Sequence, residues 1–551
     1  MLVLADSEHP YGWLSLAPPL ATVVLAIVTK RALVSLLLGL FAGALILTDG
    51  DPGRAVIETC ETHLWPTLTS PDKIRVFAFT LTMGAMIGVV NRGGGMFGLV
   101  GLLSPLARDR RSGQLTAWFA GLIVFFDDYT NTQMLGATMR STCDRLRISR
   151  EKLAYIVDST AAPVAGIALI STWVAIEIAY IQDGLNASGP ELAGDQTAAG
   201  IFLSCIPYRF YIIQALLFVP LVALIGRDFG PMRRAEQEAL DCDTDPAESE
   251  GPAVAATHWI NAAAPLLLTL AVVVTLIIAT GRAACEAADP LMEQSVRNVF
   301  GAANSALALF YGALAGLLLA IAIVVGRKIL SFEQAADGAF TGVRAVLPAL
   351  AILWFASAMS GMTRGNGGDQ VDTPYPYASS KLYTGDYLQS LLPVGEDGQA
   401  SPALAAALPT VVFLLASVVA FSTGTSFGTM GILLPVVTPV VLASVGPGAG
   451  EAQNLPLMLA SFGGVLSGAI FGDHCSPISD TTILSSQSSG CDHVAHVFTQ
   501  LPYALTVAAV CVALGTAPLA LGVSVWLLLP AQTAALAALL YFLGRPAEQA
   551  A

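Results

Sequence analysis

Residues 471–486 read FGDHCSPISDTTILSS, a run with two aspartates and a proline that continues directly from an apolar stretch beginning at 455. An ionised carboxylate at the centre of a bilayer costs roughly 2.5 to 3.5 kcal/mol even on lenient insertion scales. Acidic residues inside an apolar run therefore indicate a functional site. Pro477 also removes a backbone donor and interrupts a helix. The stretch predicts a broken transmembrane helix over residues 455–488, with carboxylates at the break.

The first half of the chain carries YIVDSTAAPVAGIALIST, which has the same order of features. Asp158 stands five residues before Pro163, and Asp473 stands four before Pro477. Hydroxyl-bearing residues follow the proline in both cases. This correspondence predicts a second broken helix, over residues 153–180.

Each broken helix is preceded by an apolar stretch with a polar cluster in its middle. Residues 113–140 contain FFDDYTN at 125–131, and residues 403–445 contain FSTGTSFGT at 421–429. Lys and Arg accumulate in cytoplasmic loops. If both stretches are re-entrant hairpins, most basic residues lie at cytoplasmic ends, whereas a full crossing of the first would place the basic block 140–152 outside. The distribution favours re-entrant hairpins.

The composition of the whole chain agrees with a membrane protein. Apolar residues make up 55% and charged residues only 12% of 551 residues, with a mean hydropathy of +0.68, far from globular values. The net charge of −14 argues against nucleic acid as a partner. Apolar runs able to cross about 30 Å of hydrocarbon predict about 11 spans plus the two hairpins, the spans beginning near residues 13, 31, 74, 153, 198, 258, 301, 344, 455, 499 and 525.

These features predict an all-α polytopic membrane protein of two inverted-topology repeats, each with a re-entrant hairpin and a broken transmembrane helix. The first repeat covers 1–226 and the second 258–524, separated by an acidic, Pro-containing cytoplasmic linker, 227–257. A polar insert at 361–401 is expected outside the membrane, and 525–551 adds a span and tail. The N-terminus would lie outside and the C-terminus inside. Inverted repeats place a substrate site at the bilayer midplane.

The absence of two motifs that are typical of enzymes and ATP-driven pumps counts against catalysis. The chain has no HExxH and no Walker loop, so we expect a protein that is not an enzyme, has no cofactor and draws its energy from ion gradients. Its eight cysteines form no CxxC pair, so neither a zinc site nor a disulfide framework is indicated. His493 and His496 stand three apart, but nothing nearby completes a set of metal ligands.

The breaks predict a cation site, because carboxylate, hydroxyl and carbonyl oxygens are ligands that Na⁺ accepts. Asp158, Asp473 and Asp128 are the predicted Na⁺ ligands, which would bind Na⁺ and protons alternately. A site that holds either ion avoids moving bare carboxylates through a low-dielectric barrier. The candidate ion-binding residues are Asp127, Asp128, Asn131, Asp158, Ser159, Thr160, Thr423, Thr425, Asp473, His474, Ser476 and Asp480.

Several of these residues have simpler interpretations. Asp127 or Asp128 is also able to cap a half-helix, and Asp480 suits an N-cap. His474 is either a proton carrier or a hydrogen-bonded side chain beside a turn. Glu177 is expected near the outer interface with a structural role, and Arg209 is expected to snorkel.

Four stretches carry a resemblance to a known family: FFDDYTNTQMLGATMR, ISREKLAYIVDSTAAPVAGIALISTWVAIE, STGTSFGTMGILLP and, most specifically, GDHCSPISDTT. They resemble the NhaC family of sodium/proton antiporters, within the wider ion transporter superfamily. The resemblance implies a secondary active Na⁺/H⁺ antiporter of the cytoplasmic membrane that works by alternating access and is a homodimer. The insert at 361–401 is longer than this family leads us to expect.

The same family includes malate/lactate exchangers and relatives linked to amino-acid transport. An alternative function is therefore a Na⁺- or H⁺-coupled carrier of a small organic acid or amino acid. Backbone N–H groups at the Ser/Thr/Gly tips would bind the carboxylate of such a solute. The sequence places no intramembrane Arg beside these tips, which weakens a dicarboxylate assignment.

The basic-residue distribution gives a direct test of topology. A cysteine placed within 144–150, in a background without native cysteines, should react with an impermeant thiol reagent only from the cytoplasm. Labelling from outside would mean that 113–140 crosses the membrane fully, and the inverted-repeat alignment would then be wrong.

Overall fold

The computed structural model is helical apart from turns wherever the chain is described, namely residues 10–29, 31–69, 71–194, 196–241, 257–287, 303–363, 380–384, 402–445 and 455–546, with 299 and 387. Within those ranges one isolated β-bridge joins Asp228 and Arg545. Most of the predicted insert at 361–401 and the second half of the predicted linker lie outside the described residues.

The α-helices are, in chain order, α1 Ala17–Thr29, α2 Ala32–Leu47, α3 Pro52–Ile57, α4 Trp65–Thr69, α5 Pro71–Arg92, α6 Gly95–Gly101, α7 Arg110–Ile123, α8 Asp128–Arg145, α9 Arg150–Thr160, α10 Ala162–Ala165, α11 Val174–Ala193, α12 Ala198–Ser204, α13 Phe210–Ile225, α14 Gly230–Asp241, α15 Ile260–Ala287, α16 Ser305–Gly326, α17 Phe332–Thr363, α18 Pro402–Thr423, α19 Ser426–Val445, α20 Leu455–Cys475, α21 Asp480–Ser489, α22 His493–Cys511, α23 Ala517–Ala520 and α24 Val525–Leu543. Shorter 3₁₀ or π turns occupy Gly12–Leu16, Glu58–Leu64, Ser104–Leu106, Ile206–Tyr208 and Val512–Thr516.

Ten helices in the described part are long and apolar enough to cross a membrane. Eight coincide with predicted spans, and the other two are α18 and α19, the arms of the predicted second hairpin. The all-α polytopic fold class is thus confirmed. Three predicted spans differ, since α2 has only 16 residues and the runs from 153 and 198 are interrupted. In the last of these, Pro207 lies in a 3₁₀ turn and lacks a backbone N–H.

Breaks occur inside both predicted hairpins and both predicted broken helices. An irregular turn at 124–127 separates α7 from α8, and Gly424, with a φ of +64° that favours glycine, separates α18 from α19. Residues 476–479 separate α20 from α21, and 166–173 separate α10 from α11. The arms α18 and α19, with 22 and 20 residues, are each as long as the hydrocarbon is thick.

The two halves of the chain exchange helices at these breaks. The second half supplies α21, which packs on α8 and α9 of the first, and the Ser488 hydroxyl donates to the Thr132 carbonyl at 2.7 Å. The first half supplies α11, which packs along α19, with Gly184 against Thr438. The breaks of both halves therefore meet in one region.

The helices α5 and α17 approach each other closely and form one wall of this region. Gly84 and Gly88 of α5 face Gly342 and Gly338 of α17, and a Cβ added at any of the four would collide with the opposite backbone or a valine. Small residues let backbones approach in this way in membrane helices. Packing of the wall thus depends on glycine.

Part of the predicted linker is an ordered helix rather than a flexible connection. The amphipathic α14 buries Glu236, whose carboxylate accepts from the Arg110 guanidinium at 2.6 Å and the Ser149 N–H at 2.8 Å. Burial raises the pKa of Glu236, an effect that the nearby Lys152 and Arg110 oppose. The helix is thereby fastened to the first residue of α7 and to the N-cap of α9.

The close approach of α5 and α17 predicts opposite effects for two glycine substitutions. Gly88→Ala should lower the melting temperature in detergent, because the new Cβ meets the Gly338 carbonyl and overpacking costs about 1–3 kcal/mol. Gly361→Ala is the matched control, since Gly361 lies in α17 with open space around it. It should be neutral or raise the melting temperature. Equal effects of the two would contradict the packing described.

Candidate ion-binding site

Asp127 is the N-cap of α8, and both of its carboxylate oxygens are occupied. One oxygen accepts from the backbone N–H and hydroxyl of Thr130, at 2.8 and 2.7 Å, and the other from the Thr172 hydroxyl at 3.1 Å. The carboxylate therefore stabilises the tip of the first hairpin and ties it to the irregular segment before α11. This geometry matches the capping interpretation of Asp127.

Asn131 joins the first hairpin to the first broken helix. Its Nδ2 donates to the carbonyls of Gly121 and Val124, at the end of α7, and of Thr160, at the end of α9. These carbonyls lack partners within their own helices because the helices end there. Asn131 is a positioning residue in this arrangement, while its Oδ1 has no hydrogen-bond partner within the described ranges.

Asp128 and Asp473 are acidic residues at the breaks whose carboxylate oxygens are not all hydrogen-bonded. Both side chains are buried, at 3% and 4% exposure, and one oxygen of each has no hydrogen-bond partner among the described residues. Asp473 lies within electrostatic range of Asp128, and the hydroxyl groups of Ser426 and Ser479 lie beside it. Because an unpaired buried acceptor costs about 1–3 kcal/mol, such oxygens are suited to a cation.

A cavity of about 720 Å³ opens beside these residues. It lies between the wall of α5 and α17 and the two hairpin tips, and its lining includes Arg31, Asp128, Tyr129, Thr425 and Asp480. Asp480 is exposed to this cavity at the start of α21, and the Tyr129 hydroxyl donates to it at 3.3 Å. A polar, acid-lined path therefore reaches the breaks from one side.

Asp158 lies in a different cluster, enclosed by residues of the second half. Its carboxylate accepts from Thr482 and Ser485 of α21, at 3.1 and 3.4 Å, and from the Gln500 side chain at 2.7 Å. Across the described residues, no three His, Cys, Asp or Glu side chains converge on one metal position. Asp158 therefore faces α21, while it also lies within electrostatic range of Asp473, and a Na⁺ shared by Asp158, Asp473 and Asp128 stays a prediction.

Two histidines flank Asp158, and the sequence analysis weighed one of them, His496, only as a metal ligand. His474 pairs with the Tyr211 hydroxyl at 2.7 Å and the Ser159 hydroxyl at 3.2 Å, which matches its interpretation as a hydrogen-bonded side chain. The fully buried His496 lies 3.4 Å from an Asp158 oxygen. Its spacing of four from Gln500 puts both on one helix face, a signal that the sequence did contain.

Three of the predicted neutral ligands donate their hydroxyl hydrogens to backbone carbonyls. Thr423 donates to Val419, Ser476 to Phe421 and Thr160 to Ile156, all carbonyl oxygens at 2.8 or 2.9 Å. Their oxygen lone pairs can still accept a cation. These bonds also fasten the ends of the broken helices to neighbouring backbone.

The pattern GTSFG at 424–428 matches the GxSxG signature of hydrolases. Its Ser426 lies in the first turn of α19 after a helix, not after a strand, and its hydroxyl donates to the Ala469 carbonyl at 3.3 Å. The context of a nucleophile is therefore missing here.

Glu177 and Arg209 form an ion pair with both side chains fully buried, at a distance of 2.8 Å. The Arg209 guanidinium also donates to the Gly166 carbonyl, at the end of α10. The expectation that Arg209 snorkels is therefore wrong, whereas the structural role expected for Glu177 agrees with the ion pair. Each residue is isolated in an apolar run, so its partner 32 positions away was not visible in the local pattern.

Buried acids with unpartnered oxygens, placed where helices break inside a membrane domain, are the means by which membrane proteins hold and release ions. The chain therefore belongs to the class of multi-pass secondary transporters. It belongs to the Na⁺/H⁺ antiporter family, whose sequence model matches residues 164–371 and 388–517. The resemblance identified from the motifs is confirmed.

Three relatives are similar to this chain. An uncharacterized protein of Haemophilus influenzae is 32% identical over 497 residues, covering 90% of this chain and 88% of the relative. A malate-2H⁺/Na⁺-lactate antiporter of Bacillus subtilis is 42% identical over 91 residues, covering 16% and 17% of the two chains. An uncharacterized Na⁺/H⁺ antiporter of Haemophilus influenzae is 40% identical over 110 residues, covering 19% and 21%.

The buried ion pair predicts that Glu177→Gln is strongly destabilising. It should cost about 3–5 kcal/mol, because Arg209 would keep a buried charge without its partner. The double variant Glu177→Gln/Arg209→Gln should be less destabilised than the sum of the single variants, as measured by thermal unfolding in detergent. Asp337→Asn, which breaks the exposed pair with Arg92, serves as the control with an effect below about 1 kcal/mol. Additive effects at 177 and 209 would contradict the pairing.

Proposed function

We propose that this protein exchanges Na⁺ for H⁺ across the cytoplasmic membrane by alternating access. The observation that supports this most is the pair Asp128 and Asp473, each buried with an unpartnered oxygen where the two halves meet. Membership of the Na⁺/H⁺ antiporter family supports Na⁺ and H⁺ as the transported ions.

In this proposal Asp128 and Asp473 bind Na⁺ or a proton, with neutral oxygens from Asn131, Thr425 and Ser476 completing the sodium site. Either cation neutralises the carboxylates, and only the neutralised site moves through the low-dielectric barrier. Asp158 takes a different role from the one first predicted. It holds α21 of the second half against α9 of the first, so that both breaks move together.

The positions of basic residues around the cavity support an orientation for the protein. Arg31 lines this cavity, and Arg92 lines an adjoining one of about 310 Å³. With both stretches as re-entrant hairpins, the order of spans along the chain puts Arg31 and Arg92 at cytoplasmic ends, where basic residues accumulate. We propose an inward-facing state, an N-terminus outside and a C-terminus inside, and a homodimer as the family resemblance implies.

A second candidate function is the coupled transport of a small organic acid. The cavity of about 720 Å³ is far larger than an ion with a few waters, each of about 30 Å³. Arg31 in its lining supplies the cation that the sequence analysis did not find near the tips. The local similarity to a malate-2H⁺/Na⁺-lactate antiporter points the same way.

Purified protein in liposomes that contain a trapped pH dye tests the proposed exchange. A Na⁺ pulse without any organic solute should move protons in the wild type. Asp128→Asn and Asp473→Asn keep the side-chain size and remove the charge, so both should lower the flux to that of empty liposomes. Asp49→Asn, at an exposed turn, is the control and should transport normally. One competing proton should weaken the apparent Na⁺ affinity by up to about tenfold per pH unit.

The same assay separates the two candidate functions. Proton flux that appears only when malate or lactate is present, and that is lost in Arg31→Gln, would support the organic-acid carrier and reject simple exchange. Normal solute-free exchange by Asp128→Asn and Asp473→Asn would remove both carboxylates from the site.

A further inference from the structure

A further cavity, of about 480 Å³, shares no lining residue with the cavity at the hairpin tips. The start of α14 forms one wall, through Gly230 and Pro231, and the ends of α22 and α24 form the others. Three arginines line it: Arg233, Arg234 and Arg545. Nothing in the proposed ion pathway uses this cavity.

Among the described residues, the lining of this cavity carries three arginines against one aspartate. The Asp228 carboxylate in its lining is already bonded to Lys152 and to the Tyr503 hydroxyl. In the described part of the chain, no ion pair joins the three arginines to a carboxylate. The arginines therefore leave guanidinium groups free for an anion.

Two donors in the lining are buried without a partner. The Nε of Arg233 and the Nε2 of Gln237 have no hydrogen-bond acceptor within the described ranges. A buried donor without an acceptor costs about 1–3 kcal/mol. The first turn of the 12-residue α14 also faces the cavity, and a helix N-terminus favours negative charge. Guanidinium groups, two unpartnered donors and a helix N-terminus thus line the same cavity.

The surroundings indicate that the anion has an apolar part. Phe498 of α22 and Leu543 of α24, which complete the lining, are 64% and 59% exposed on membrane-crossing helices. Arg227 stacks on Tyr541 at the same end of α24, as residues at a membrane interface do. A headgroup in the cavity would let acyl chains lie along these exposed side chains.

We propose that this cavity binds the phosphate headgroup of an anionic phospholipid of the cytoplasmic leaflet. The phosphate oxygens accept from Arg233, Arg234 and Arg545, and Gln237 supplies a further donor. Basic pockets on the cytoplasmic side between transmembrane helices suit such headgroups. The proposal does not depend on which solute the protein transports.

Lipid binding can be measured on the full-length protein, freed of lipid in a neutral detergent. Phosphatidylglycerol is added in steps, and the bound lipid is counted by native mass spectrometry, with thermal unfolding as a second readout. The wild type should retain phosphatidylglycerol and melt at a higher temperature with it, and phosphatidylcholine should have little effect. Arg233→Gln/Arg234→Gln should bind about 30-fold more weakly, since each basic residue near an anionic lipid contributes a factor of about five.

Two matched variants make the result specific. Arg108→Gln/Arg145→Gln removes the same charge from exposed cytoplasmic positions outside the cavity and should bind like the wild type. Arg233→Lys/Arg234→Lys keeps the charge and should recover most of the affinity, which a folding defect would not do. Equal binding by the Gln pair at 233 and 234 would overturn the proposal. Equal stabilisation by inorganic phosphate would also overturn it, in favour of a free-anion site.

Discussion

A carboxylate held away from water must be neutralised or surrounded by donors, and this requirement organises the membrane domain. Asp127 receives three hydrogen bonds and becomes a helix cap. Asp158 receives hydroxyl and amide donors from the other half of the chain. Asp128 and Asp473 keep an oxygen without a donor. The same residue type is thus fully hydrogen-bonded at Asp127 and keeps an acceptor without a donor at Asp128 and Asp473.

The exchange of helices between the halves links these carboxylates mechanically. The helix α21 contacts α8 and α9, and α11 contacts α19. A displacement of one of these helices therefore changes contacts in both halves. The close packing of α5 against α17 provides a stiff surface beside them. Between the stiff wall and the interlocked breaks lies the large cavity, where a change of separation would open or close access to the acids.

The sequence predicted those features whose causes are local. Acids, prolines and glycines inside apolar runs located the four breaks, because each of these residues disrupts a helix or needs solvation where it stands. Pairings over long separations were not predictable. The donors to Asp158 lie 324 to 342 positions away. Glu177, the partner of Arg209, lies 32 positions before it. Spacing along the chain also did not reveal that Asp158 faces α21 while Asp128 faces the cavity.

The enclosure of Asp158 also sets an order of events during synthesis. Gln500, which completes its hydrogen bonds, is made 342 residues after it. At about 5–20 residues per second, a ribosome needs roughly 17 to 68 s for that length. During this interval the first half is already at the membrane with an unsatisfied carboxylate at its break. The nascent chain must therefore keep that segment hydrated, or shielded by the insertion machinery, until α21 and α22 arrive.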